Sequence, residues 1–427
     1  MNGPPDTGID RREFLKAAVA IGGASALAAC VERTGDPDVP TGVSDPSELP
    51  DRQHAWNDHL AADDYGNPTP PTHRLLLLLD YRNEGTPASD ERETVRSALR
   101  TLDRAYAWSH DGLLSTVGYS PAYFDRFDAP LPDAVDLPEP EALAPFEDPT
   151  LDAPDAVLYL ASDHAHVLLA TERALRGETE TLNGVSVDGP LTDVFAVAER
   201  RTGFKGSGQP AEHQDASGVP DSEPVPEGAP LYMGFKSSYR KTQASEDRVT
   251  IREGAFAGGT TMHASHMTLD LDQWYEQDDR YQRVGKMYSP YHARNDVVDG
   301  TGENLGADAK MGEAKPVERA AEEDALVGHG QKMFRLREDG RPLILRRDFD
   351  STDYGHAGLH FVAFQRRIGD FVDTREAMNG TDLAGSTAVG QRNNNGLLQY
   401  VDVTRRGNYL VPPRPARALP TPEGTDA

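Results

Sequence analysis

Five consecutive leucines, Leu75–Leu79, stand between Arg74 and Asp80-Tyr81. An apolar run of this length reads as a buried strand, and the downstream residues restrict the architecture further. From Asp90 to Trp108 the apolar residues Val95, Leu99, Leu102, Ala105 and Tyr106 fall at helical spacing, with Asp90 placed to cap the helix. Leu113 to Tyr119 reads as a second strand, Ala156 to Ala161 as a third, and His166 to Arg176 as a second helix. Strand–helix–strand followed by strand–helix is the outline of a ferredoxin-like α+β unit. Residues 72–201 form the first such half.

Residues 202–229 are rich in Gly, Pro, Ser and Glu and read as a linker loop. A similar cycle then recurs over 230–411. Strand material within Val249–Met267 is broken by Gly258-Gly259, and a short helix is expected over Leu271–Tyr281. Further strands are expected over Pro342–Phe349 and Leu359–Gln365, and a helix over Asp370–Met378. Residues 296–325 are acidic and polar and read as an exposed loop, and 412–427 as a tail. The expected fold class is α+β, with two ferredoxin-like units packed as a duplicated antiparallel-sheet core and helices at its periphery.

The N-terminus reads as an address. Arg11-Arg12-Glu13-Phe14-Leu15-Lys16 precedes an apolar run from Ala17 to Ala29, the pattern of a twin-arginine export signal. The run is too short to span a bilayer as a helix. It ends in Leu27-Ala28-Ala29-Cys30, similar to a lipobox, so Cys30 is the expected lipidated first residue of the mature chain; ordinary cleavage beside an idle cysteine is the alternative. Residues 1–30 are thus the signal. Residues 31–71, rich in Pro, Asp and Gly without periodicity, are the expected flexible tether to the outer face of the cell membrane.

Charge and cysteine content exclude several functions. With 70 acidic against 43 basic residues and a formal net charge of −27, the chain is no nucleic-acid binder, since phosphate backbones are captured by Lys/Arg surfaces. A single cysteine excludes a disulfide framework and any thiolate-clustered metal site. Only 8 of the basic residues are Lys. Acid excess with lysine depletion fits a saline exterior of the haloarchaeal kind, where screening tames carboxylate repulsion; Arg codons in a GC-rich genome are the plainer alternative.

Candidate chemistry then falls to the histidines. His263 and His266, three apart on an expected strand, point to opposite faces and do not share a metal easily, so one core and one surface histidine is the expectation. His164 and His166 stand at a strand-to-helix turn. His329, in Val327-Gly328-His329-Gly330-Gln331, is followed by Leu343-Ile344-Leu345-Arg346-Arg347. An Arg pair after an apolar strand puts cations at the edge of a buried layer, where they need an anion. A lone histidine and an arginine facing an apolar pocket make the composition a haem site needs; a hydrogen-bonded histidine near a surface ion pair is the alternative.

Four stretches carry a family resemblance. They are Ser115–Asp125 with its Val117-Gly118-Tyr119, the strand Asp155–Asp163, the turn Gly254–Thr260, and the ordered series His329, Leu343–Arg347, Gly358–Gln365. In these the chain resembles the dye-decolourising peroxidases, including exported deferrochelatase-type members. The resemblance implies two ferredoxin-like halves of the dimeric α+β barrel type, with one haem b held mainly by the second. It implies His329 as the proximal iron ligand, Arg346 as the distal arginine with Arg347 the fallback, and Gly234 and Phe361 beside the cofactor. It also implies hydrogen peroxide and an undetermined electron donor as reactants, and a homo-oligomer is compatible with it. One position departs. Where the family carries the aspartate of G-x-x-D-G, this chain reads Gly234-Phe235-Lys236-Ser237-Ser238, so Ser237 stands in for the acid. A hydroxyl has no carboxylate pKa and cannot take over proton transfer directly; Glu246 or Asp247 are the nearby acids, and a haem binder without turnover is the alternative outcome.

Overall fold

The computed structural model describes residues 39–385 and 387–424. The export signal with Arg11, Arg12 and Cys30, and the start of the tether, lie outside the described residues.

In chain order the first half runs β1 (His73–Tyr81), α1 (Ser89–Ala105), β2 (Leu114–Tyr119), β3 (Ala156–Ser162), α2 (Ala165–Leu175) and β4 (Phe195–Phe204). The leucine run occupies β1, and its side chains alternate between two layers. Leu75, Leu77 and Leu79 pack with the apolar faces of α1 and α2, while Leu76 and Leu78 pack with Tyr159, Met262 and Phe364 from both halves. A strand covered on both faces must be apolar at every position. Each of the five is at most 1% exposed, and full burial of one such side chain contributes about 1.5–3 kcal/mol. Helix α1 begins at Ser89 instead of being capped by Asp90. The Ala88 N–H donates to Glu91 Oε2 at 2.6 Å, and both acids of the first turn face the positive end of the helix dipole.

The second half runs β5 (Thr260–Leu269), α3 (Arg280–Met287), α4 (Val317–Asp324), α5 (His329–Arg335), β6 (Leu345–Arg346), β7 (Phe349–Ser351), β8 (Gly358–Gln365), α6 (Ile368–Asn379) and β9 (Val401–Val411). Both halves have the same antiparallel order. It is β4-β1-β3-β2 in the first and β9-β5-β8-β6/β7 in the second. The edges then join: Asp350 pairs with Phe204 and Leu410 with Tyr119, so the strands close into a ring. Each seam passes over a glycine. A Cβ on Gly203 would lie 2.0 Å from the Asp350 carbonyl oxygen, and one on Gly118 would lie 3.0 Å from Tyr409 Cβ. The two-unit α+β reading holds.

Several local expectations do not. Residues 39–71 are not a free tether over the described part: Gln53, His54 and Trp56 are at most 1% exposed, and Gln53 bonds to Val117 and Pro412. An aromatic anchor and a buried amide outweigh a loop-like composition. The linker is likewise tied down, with Val219, Val225 and Ala229 in the core beside Phe204 and Tyr232. So is the tail, where Ala418 and Leu419 are buried with Tyr119 and Tyr123. The acidic segment 296–325 buries Met311, Val317, Ala320 and Ala321 and contains α4. In place of a helix over Leu271–Tyr281, a π-type turn spans Gln273–Gln277, and α3 starts afresh where Asp279 and Gln282 cap each other reciprocally. No helix among the described residues is long and apolar enough to cross a membrane.

Candidate functional site

The site follows from one alternation. Leu345 lies opposite Phe364, Arg346 opposite Ala363 and Phe349 opposite His360; the register is unbroken, so successive side chains from 344 to 350 take opposite faces. Leu345 and Phe349 join the layer inside the ring. Arg347 goes with them: its guanidinium lies 5.6 Å from the Trp56 ring centroid, donates to Asn57 Oδ1 at 2.8 Å and pairs with Glu246 at 3.2 Å. Ile344, Arg346, Asp348 and Asp350 take the outer face, where they line a cavity.

That cavity lies between the outer face of the second sheet and the helices α5 and α6. Its inner lobe, about 1040 Å³ of atom-free space, is lined by Met267, Leu269, Phe361, Phe371 and Met378 beside His329, Ser237 and the outer-face acids. An outer lobe of about 800 Å³ shares Ser237, His329, Met333 and Arg346 with it and reaches Lys236, Phe334 and Arg337. The walls are apolar with a few convergent polar groups, the lining of a site for an organic ligand.

His329 is the first residue of α5. Burial, followed by the charges of Lys332, Arg346 and Arg375, pulls its pKa down to about 3, so the imidazole is neutral. Nδ1 is buried without a hydrogen-bond partner. One turn on, Lys332 is fully buried and anchors the helix: its Nζ donates to Asn395 O at 2.9 Å, to Asn395 Oδ1 at 2.7 Å and to Met378 O. Desolvation and the neighbouring Arg375 and Arg335 lower its pKa to about 6. Arg346, on the sheet, is fixed by Gln243, whose Oε1 accepts from the Arg346 backbone N–H at 3.0 Å.

The outer face also carries two carboxylates with opposite tendencies. Burial would raise Asp348, but the Lys205 and Arg346 charges outweigh it and hold the group below the usual range, ionised. Lys205 Nζ lies 2.8 Å from Asp348 Oδ2, while Oδ1 is buried with no donor. Asp350 is pushed well above its usual value by burial, which outweighs the Tyr232 N–H that its carboxyl accepts. The two carboxyl groups, two residues apart on one strand face, are thus driven apart in pKa. Lys205 also comes within 3.4 Å of Ser237 Oγ and 3.5 Å of Ser238 Oγ.

His329, Arg346, Ser237 and Phe361 therefore meet in one cavity. Arg347 does not line it. Gly234 does not line it either; with φ +80° it makes the turn before Phe235, where a Cβ would lie 2.8 Å from the Tyr275 hydroxyl. Glu246 and Asp247 are engaged elsewhere, by Arg347 and by Arg52. His263 and His266 do point to opposite faces, yet both are buried: His263 bonds Asn408 and stacks on Phe371 at 3.6 Å, and His266 bonds Thr404 at 2.6 Å. The His164 and His166 rings lie 5.5 Å apart, and neither belongs to a potential metal-holding cluster among the described residues. Sequence reasoning missed Asp348, Asp350 and Lys205. The signal for the two acids was present, because a strand that puts Arg346 on one face puts positions 348 and 350 there too.

Comparisons with known proteins agree on the fold. The model of a family of unknown function (DUF7405) matches residues 71–413. No curated protein matches. Among solved structures, a dye-decolorizing protein from V. cholerae superposes with a TM-score of 0.54 at 14% identity, covering 86% of this chain and 99% of its own. A variant of DypB from Rhodococcus jostii RHA1 in complex with heme gives 0.52 at 15% identity, covering 82% and 96%. The encapsulated DyP-type peroxidase from Mycobacterium smegmatis gives 0.53 at 12% identity, covering 83% and 96%. The chain shares their fold.

Proposed function

The chain belongs to DUF7405, a family of unknown function, so its own site must supply the reading, and we propose that it is an exported haem-dependent peroxidase of the dye-decolourising type. It would reduce hydrogen peroxide with electrons from an undetermined donor. The observation that carries this is that His329 and Arg346 enter one apolar cavity from different walls, a neutral imidazole from α5 and a guanidinium from the sheet. The solved neighbours include a heme complex, which adds support.

The residues fit the group. His329 Nε2 would ligate the iron, its neutrality being what a metal ligand needs, with Met267, Phe361, Phe371 and Met333 against the macrocycle. Bound haem would supply the two-electron redox chemistry that splits the O–O bond. The chain's own residues do the rest. Arg346 places a fixed positive charge where negative charge develops. Asp348, held ionised by Lys205 and lining the cavity, is the carboxylate that would accept a peroxide proton. Asp350, whose pKa burial raises, is a second carboxyl on the same cavity wall. Ser237 positions, but does not transfer.

An absorption spectrum tests the reading. Haem-loaded protein should give a Soret band whose coordination changes in His329→Ala and recovers with added imidazole; a band unchanged in His329→Ala sinks the assignment. A second reading, a haem-binding or haem/iron-handling lipoprotein without turnover, is favoured by one observation. Ligating histidines almost always donate their other N–H to an acceptor, and His329 Nδ1 has none. Peroxide turnover of the loaded protein separates the two. The location we propose, the outer face of the cell membrane in a saline setting through lipidated Cys30, rests on Arg11-Arg12, the apolar run and Leu27–Cys30. Mass spectrometry of the mature N-terminus tests it.

A further inference from the structure

Beside Arg346 lies another cavity, whose wall includes Lys205, Arg240, Arg346 and Arg347. No carboxylate lines it among the described residues. In a chain with a net charge of −27, a cavity with four cations and no acid in its wall is contrary to composition. Two of the four are balanced from behind, Lys205 by Asp348 at 2.8 Å and Arg347 by Glu246 at 3.2 Å. Arg346 and Arg240 have no carboxylate within ion-pair distance among the described residues. Deeper in the ring Arg74, 0% exposed, has no hydrogen-bond partner for any of its three guanidinium nitrogens, and its charge, after burial and that of Arg346, helps pull Lys205 below the usual lysine range. Partly buried cations in excess of their acids are costly in low dielectric unless an anion joins them.

We infer that this cavity is a binding site for a small oxyanion, of the size and charge of nitrate or sulfate. Arg346 and Ser238 belong both to this wall and to the outer lobe of the His329 cavity, so a bound anion engages the arginine from its other side. Asn57, Ser238, Gln243 and Ser245 supply the neutral hydrogen-bonding groups that fix orientation in such sites. Asn57 comes from the segment 39–71, so the folded-down N-terminal stretch completes the wall. Anion binding here does not depend on haem, and its failure would leave the proposed peroxidase chemistry untouched.

The test is titration of the full-length purified protein with sodium nitrate and, separately, sodium sulfate, at ionic strength held constant with gluconate. Calorimetry should give saturable one-site binding, and Tm should rise with ligand as mass action requires. In Arg240→Ser, an exposed position whose loss leaves the fold intact, affinity should fall at least tenfold. Arg346→Gln should weaken it similarly while leaving Tm without anion close to the parent's. Non-saturable binding, or affinity unchanged in both variants, overturns the inference and identifies the anions as general surface ligands.

Discussion

Lys205 Nζ lies 2.8 Å from Asp348 Oδ2 with both side chains buried, and the second oxygen of that carboxylate, on a residue that lines the His329 cavity, is buried with no donor. The pair joins the two halves, since Lys205 follows β4 and Asp348 lies between β6 and β7. Its chemical consequence is an ionised carboxylate in a cavity whose expected acid position holds Ser237. Asp348→Asn should therefore slow peroxide reduction about 10²-fold, within the range of proton-transfer catalysis, with haem content unchanged. Lys205→Met, by removing the charge that lowers Asp348, should shift the acid limb of the rate profile to higher pH. Stopped-flow mixing with peroxide across pH reads both, and a parent-like rate in Asp348→Asn rules out the assigned role.

The two arginines of the pair should separate cleanly. Arg346→Leu should cost about 10²–10³ in peroxide reduction, the usual loss for a fixed electrostatic donor, with a retained Soret band. Arg347→Leu should leave that rate near the parent's but lower stability, because it removes the cation beside the partly buried Glu246, which keeps the Asn57 N–H. Urea unfolding beside the kinetic assay distinguishes them. If Arg347→Leu instead abolished turnover in a stable protein, the assignment of Arg346 by strand alternation would be wrong.

Ser237→Asp asks whether the lost family acid matters. The new carboxylate would stand near Lys205, which already lies 3.4 Å from the serine oxygen, so it would be ionised and paired. Given Asp348, the substitution should raise peroxide reduction by less than about tenfold. Creation of activity in a parent with none would instead favour the binder reading.

The overall duplication was legible because β1 and β3 are continuous apolar runs, β8 is apolar apart from His360 and its last residue, and α1 and α2 carry periodic apolar stripes. The last strand of each half was not. In β4 the middle reads Glu199-Arg200-Arg201 and in β9 Thr404-Arg405-Arg406, which break any apolar pattern. Arg201 is nevertheless 1% exposed and paired with Asp152 at 2.6 Å, and Arg406 is 0% exposed and paired with Glu147 at 2.7 Å. Those acids come from loops far away in sequence, so only the folded chain turns a charged stretch into a buried strand. Likewise His329 and Arg346 were found from their order along the chain. Lys205 could not be, because the seam between β4 and β7 brings it to the site.

Acid should unfold this protein through its histidines. His54, His263 and His266 are buried, and desolvation, the largest cause in each, lowers their pKa from 6.5 to about 3; for His73 the same cause gives about 4. Folded pKa values below the unfolded one mean that the unfolded state binds more protons between the two values. Stability is therefore complete above pH 6.5 and declines as pH falls from 6.5 towards 3. The slope of unfolding free energy against pH, from denaturant titrations at pH 4.5–8, measures the proton difference, and its acid side should be steep while the region above pH 7 is nearly flat. Carboxylates contribute to the same acid loss, so the assignment rests on a difference. His266→Asn, which keeps a polar group beside Thr404, should reduce proton uptake at pH 5 by close to one. An identical slope in that variant would mean that His266 is already protonated in the fold or exposed to water, against its 1% exposure.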